Sequence, residues 1–196
     1  MKKLLLYFFI FSPMIICSQN SQIKEIKFEG KSTEENKYIE ILKLKDRNAL
    51  IIQIGYSSYP IKGLDSDLIV YLNNGQVKLY KVSESVGSEL KPKIKRGRLK
   101  KNEYSRYWKF LNTCISKEKF KIDKAKLNLE NKENTTLPLA ISAGQTYHFR
   151  LHQNKKYTIY SSFAPKIYIS LKSQGFEEMQ RLVDLMEGFK NMINKN

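Results

Sequence analysis

Cysteine is nearly absent from this chain of 196 residues; the two present are Cys17 and Cys114, and the first lies in an apolar N-terminal stretch. With that stretch removed, the remaining cysteine cannot close an internal disulfide, so stability has to come from a packed core. Histidine is as scarce, with only His148 and His152. Residues four apart on a strand stand about 13 Å from one another at 3.3 Å per residue, too far to share one ion. No acid or cysteine lies in the same segment to complete a ligand set. A polar strand face is the expectation for the pair, with no metal and no cofactor.

Glycine-rich phosphate loops are missing too, since neither G-x-x-x-x-G-K-[ST] nor G-x-G-x-x-G occurs. There is no G-x-S-x-G elbow, and the pairs Ser57-Ser58 and Ser161-Ser162 lack the full set of flanking glycines that such a strained turn uses. A serine–histidine–acid group is assembled by the fold and leaves no local signature, so catalysis stays open without a named site. Cys114, among Trp108, Leu111 and Ile115 on one helical face, reads as a small buried hydrophobe rather than a nucleophile.

What is abundant is positive charge. Thirty-five Lys and Arg face 19 Asp and Glu, a formal net charge of +16. Residues 91–132 hold 15 basic and 4 acidic groups, so this middle stretch alone carries +11. Its densest part is Lys91, Lys93, Lys95, Arg96, Arg98, Lys100 and Lys101, seven cations in eleven residues with no acid among them. A lysine-rich chain, as AT-rich genomes produce, would show a solvated basic surface without any partner. Concentration in one run points instead to an anion- or partner-binding surface: an acidic glycan, a lipid headgroup or an acidic protein. Interleaved aromatics such as Tyr104, Tyr107 and Trp108 would also suit single-stranded nucleic acid.

The N-terminus weighs against that last reading. Lys2-Lys3 precede an apolar run from Leu4 to Ile16, and the chain turns polar at Ser18-Gln19-Asn20, the layout of a cleaved secretory signal peptide. The run is shorter than the roughly 20 residues that span a bilayer, and no transmembrane helix is expected in the mature chain. Residues 1–18 are read as the leader and 19–196 as one domain. Cys17 could be the acylated cysteine of a bacterial lipoprotein, but Ile15 and Ile16 are bulkier than a lipobox or an A-x-A site prefers. An exported protein of the periplasm, cell surface or medium rarely meets nucleic acid, so none is expected as a partner.

Periodicity predicts an α+β fold: mostly antiparallel sheet, a meander in the first half, a hairpin at 146–161, and helices at about 103–116 and 175–194. Ile23–Glu29 and Tyr38–Lys45 read as strands, and Ala49–Tyr56 as a central strand covered on both faces. In Asp67–Val82, Asn74-Gly75 predicts a type I′ turn with positive φ at both residues. Pro92 and Gly97 confine the basic run to an edge strand or an exposed loop. Asn102 is the expected N-cap of the next helix. Phe120, Ile122, Leu127 and Leu129 anchor a polar stretch, Leu137–Ala143 is a further strand candidate, and Asn134-Thr135-Thr136 matches a glycosylation acceptor common by chance. Tyr147, Tyr157, Tyr160 and Tyr168 read as core pairs before a ligand platform.

The function implied is that of an exported small basic protein, a non-enzymatic binding or structural protein of the cell envelope or secretome. The alternative is an envelope hydrolase whose site leaves no motif.

Overall fold

The β-branched run at Leu50–Ile54 becomes the middle of the sheet, because a segment with almost no polar side chain has to be covered on both faces. The computed structural model describes residues 23–28, 30–32, 37–58, 63–84, 92–127 and 144–194. Its strands are β1 (Lys31–Ser32), β2 (Leu50–Ser58), β3 (Leu64–Tyr71), β4 (Val77–Glu84), β5 (Lys93–Arg96), β6 (Gln145–Gln153) and β7 (Lys156–Phe163). They form one sheet in the order β1-β7-β6-β2-β3-β4-β5, every neighbouring pair antiparallel. The helices are α1 (Lys37–Ile41), α2 (Tyr104–Ser116), α3 (Lys124–Leu127), α4 (Pro165–Ser170) and α5 (Phe176–Asn194). This is a single α+β domain.

One sheet face packs against α2 and α5. Ile52, Ile54, Ile69, Tyr71, Phe149, Leu151 and Tyr160 from the strands meet Tyr107, Leu111 and Cys114 of α2 and Met179, Leu182, Val183, Met186, Phe189 and Met192 of α5. The apolar stripe of α5 is buried as its spacing requires. Polar atoms tie the layers together: Tyr71 donates to the Tyr107 carbonyl at 3.2 Å, Tyr107 to the Met192 carbonyl at 3.1 Å, and Trp108 Nε1 to the Gly75 carbonyl at 2.9 Å. Burial pushes the Cys114 thiol up to about 11, which makes it a core atom and not a nucleophile.

The opposite face has a smaller core over β3 and β4, where Tyr38, Leu44 and Ala49 cover Leu68, Val70, Tyr80 and Val82. Here the expected strand Tyr38–Lys45 is corrected: the segment is helix α1 followed by a turn. Its apolar residues Tyr38, Ile39, Ile41 and Leu42 hold no single parity, and a helical turn brings Tyr38 and Leu42 to one side.

Three further expectations give way. Ile23–Phe28 forms no strand, because the Gln153 side chain satisfies its backbone instead: Ile26 N–H donates to Oε1 at 2.7 Å and Nε2 donates to the Lys24 carbonyl at 2.8 Å. The β3–β4 turn is not type I′, since Gly75 has φ 78° but Asn74 is not in the positive-φ region. Gly75 N–H bonds the Leu72 carbonyl at 2.9 Å and Leu72 N–H bonds the Gln76 carbonyl at 3.0 Å, giving a three-residue loop. Asp46 accepts from both Asn73 N–H at 2.7 Å and Asn73 Nδ2 at 3.1 Å, which holds that loop in place. Asn102 does not cap α2 but lies in a 3-10 turn, Lys101–Glu103, where Glu103 Oε2 accepts the Lys100 N–H at 2.8 Å.

The C-terminal hairpin forms as expected, with Gln153 paired to Lys156 and the turn confined to Asn154-Lys155, Asn154 at φ 53°. Phe120, Ile122 and Leu127 are buried anchors, while Leu129, Asn134–Thr136 and the strand expected at Leu137–Ala143 lie outside the described residues.

Gly188 gives the first prediction. A solvent-facing helical glycine would gain up to about 1 kcal/mol on change to alanine. In α5, however, a Cβ here would lie 2.4 Å from Phe110 Cζ, and that ring is held edge-on against Phe189 at 4.8 Å. Gly188→Ala should therefore destabilise the fold, by about 1–3 kcal/mol of overpacking less the propensity gain. A denaturant midpoint equal to or above the parent's would show that Phe110 moves aside freely.

Candidate functional site

Among the described residues β5 is an edge strand, flanked by Pro92, which has no N–H to donate, and by Gly97, where a Cβ would lie 3.1 Å from Leu79 Cβ. Lys93, Lys95, Arg96, Arg98, Lys100 and Lys101 are all exposed; Lys91 lies outside the described residues. Among the described residues none of these six forms an ion pair with an acid. Alternation sends Lys93 and Lys95 to the α2/α5 side and Ile94 and Arg96 to the other. Register places Lys95 directly opposite Lys81 of β4, and Lys81 opposite Asp67 of β3. Asp67 is already taken: Lys190 of α5 donates to its Oδ2 at 2.5 Å. A shallow hollow of about 350 Å³ lined by Tyr56, Asp65, Asp67, Lys81, Ser83 and Lys190 adjoins this row.

Tyr107 and Trp108 do not join the basic surface. Tyr107 is buried, and Trp108 sits edge-on against Tyr71 with its N–H bonded to Gly75, so neither can offer a face for base stacking. Of the four tyrosines in the second half, Tyr160 is core and donates to the Phe120 carbonyl at 2.7 Å, while Tyr147 is buried with its ring edge-on to Tyr56. Tyr157 stacks on His152, and Tyr168 lies on α4, packed on the edge of the main core.

The face of β2, β6 and β7 turned away from α2 and α5 carries the polar groups that sequence reading did not connect. Its rows follow from the register: Ser57, Thr146 and Phe163; then Gly55, His148 and Ser161; then Gln53, Arg150 and Ile159. His148 Nε2 is 2.8 Å from Ser57 Oγ, and Nδ1 is 3.0 Å from Ser161 Oγ. Burial, helped by the Arg150 charge two residues along, holds the His148 pKa below its ordinary 6.5, so the ring is neutral at pH 7. Next along, Arg150 Nη1 approaches Gln53 Oε1 at 3.4 Å and Glu84 Oε2 at 3.8 Å. Tyr38 donates to Glu84 at 2.5 Å, and Gln53 Nε2 donates to Ser66 Oγ at 2.8 Å. Burial and the Glu84 hydrogen bond raise the Tyr38 pKa, so this hydroxyl remains a donor.

His148 and His152 share this face as strand alternation demands, one between serines and the other against tyrosines. No cluster of three or more metal-binding side chains occurs among the described residues. No described helix is long and apolar enough to cross a membrane. No family model matches the chain, and no curated protein is significantly similar to it.

Proposed function

We propose that this is an exported binding protein that engages an anionic partner through the cationic edge formed by Lys93, Lys95, Arg96, Arg98, Lys100 and Lys101, with Lys91 leading into it. Residues 1–18 act as the leader, and the mature chain works in the periplasm, at the cell surface or in the medium.

The observation that supports this most is the cross-strand pair Lys81 and Lys95 on an exposed edge. Like charges directly opposite one another in a sheet are destabilising, and Asp67, the acid opposite Lys81, is already paired with Lys190. A bound anion would offset that repulsion. Lysine on an edge strand also discourages sheet-to-sheet association, which accounts for one or two such residues but not for a continuous row running on to Lys101.

Exchange of Lys93, Lys95, Arg96 and Arg98 to Glu tests the surface. The parent should be retained on anionic vesicles or on a sulfated polysaccharide at low salt and lose retention as salt rises, because exposed charges are screened beyond about 8–10 Å near physiological ionic strength. The folded reversal variant should pass through both. Equal retention of parent and variant would leave the row as a solvated edge. Intact mass from a secreting host tests the leader: a chain starting near Cys17 to Gln19 is expected, a diacylglycerol increment on Cys17 would mark a lipoprotein, and retention of Met1 would overturn export.

A further inference from the structure

We propose that Ser57 and His148 form a nucleophile–base pair that hydrolyses a carboxylic ester with a small apolar acyl group, with Thr146 as oxyanion donor and Ser161 as the residue positioning the imidazole. This activity stands independently of the cationic edge and departs from the non-enzymatic expectation.

Three strands in register build the site. Gly55, directly beside His148 on β2, has no side chain, and Leu64 Cδ1 covers the position, 2.8 Å from where a Cβ would lie. The imidazole reaches past it to Ser57, two residues along β2, at 2.8 Å, within the hydrogen-bond reach that a general base needs. On the other side Ser161 lies opposite on β7 at 3.0 Å. With the Nδ1 proton donated to Ser161, the Nε2 lone pair accepts the Ser57 hydroxyl, which is the orientation that base catalysis requires. Burial keeps this imidazole neutral at pH 7.

Two more groups stand in the row of Ser57. Thr146 is paired directly with Ser57, and its hydroxyl makes no hydrogen bond among the described residues. A side-chain hydroxyl can serve as one donor of an oxyanion hole when it is aimed at the developing charge. In the same row Phe163 is 40% exposed, and its ring lies against Gly144, where a Cβ would come within 2.4 Å of it. Phe163 gives an apolar acyl group a surface in the row of the nucleophile.

The steps balance without a redox partner. Ser57 Oγ adds to the ester carbonyl carbon while its proton passes to His148 Nε2. The bond to the alcohol oxygen breaks, and that oxygen takes the proton from Nε2. Water then adds to the acyl carbon, giving a proton to Nε2, and the bond to Ser57 Oγ breaks as the proton returns to it. One ester and one water become one acid and one alcohol.

The test is covalent labelling of the full chain with an alkyl fluorophosphonate, read by intact mass and peptide mapping, alongside p-nitrophenyl butyrate turnover. A single adduct on Ser57 is expected, absent in Ser57→Ala. His148→Gln should slow labelling by about 10²–10⁴-fold. Thr146→Val should reduce ester turnover by about 10²-fold with the melting curve unchanged. Labelling should fall as pH drops through the His148 pKa, below 6.5, and Ser161→Ala should move that midpoint, as a merely structural residue would not. No adduct, an adduct on Ser161 or any other residue, labelling indifferent to His148→Gln in a folded variant, or turnover that survives Ser57→Ala would each overturn the proposal.

Discussion

Leu182→Ala is expected to lower the free energy of unfolding by about 2–5 kcal/mol, the range for emptying a fully buried leucine site. Leu182 has no exposed surface and stands in the middle of the α5 stripe, between Met179 and Met186 on the same face. The upper part of the range applies if the site cannot collapse. Its neighbourhood is aromatic and stiff: Phe149 stacks with both Phe189 and Tyr160, and Phe110 closes edge-on against Phe189. Rings locked in this way do not flow into a void, and the cavity term is then kept. Urea melts of parent and variant measure the difference, and a loss under 1 kcal/mol would mean that α5 does not anchor this core.

Lys190→Met should be the next most costly change. Lys190 holds the C-terminal part of α5 to β3 through Asp67, whose carboxylate is nearly buried. Removing one partner of a buried pair costs about 3–5 kcal/mol, chiefly because the other charge is left without compensation. The Lys190 side chain is 36% exposed, so water reaches the pair and a smaller loss is expected, about 2 kcal/mol. Its ammonium also lies 5.8 Å from the centre of the Tyr56 ring, a contact that methionine keeps only in part. Adding Asp67→Asn to Lys190→Met should recover most of the loss, since a neutral amide needs no counter-ion. If the double variant is less stable than Lys190→Met alone, Asp67 contributes through hydrogen bonds and not through charge.

The elements that could be read in advance share one property: one face of each is repeatedly apolar over several turns or residues. Tyr147, Phe149 and Leu151 alternate on β6, and Met179 to Met192 recur at helical spacing on α5, so each had a single way to bury its apolar face. Ile23–Glu29 and Tyr38–Lys45 are too short for a period to outweigh a competing partner. The Gln153 amide decided the first of them, and burial of Tyr38 against the Gln53–Glu84 network the second.

The two sites divide along the same line. Seven cations in eleven residues, and their confinement by Pro92 and Gly97 to an edge strand or an exposed loop, follow from the amino-acid order by itself, because charge density and proline chemistry are local properties. Which of those cations faces Lys81, and that Asp67 is not free to neutralise it, depends on strand register and on where α5 comes to rest. The Ser57–His148–Ser161 group is tertiary altogether. Its members are 91 and 13 residues apart, and a one-residue slip between β2 and β6 would turn Ser57 to the opposite face from His148. The sequence determined that there would be an antiparallel sheet with a greasy helix on it and a basic edge. Only pairing among three strands, driven by burial of the face beneath α2 and α5, decided which hydroxyls meet the imidazole on the other face.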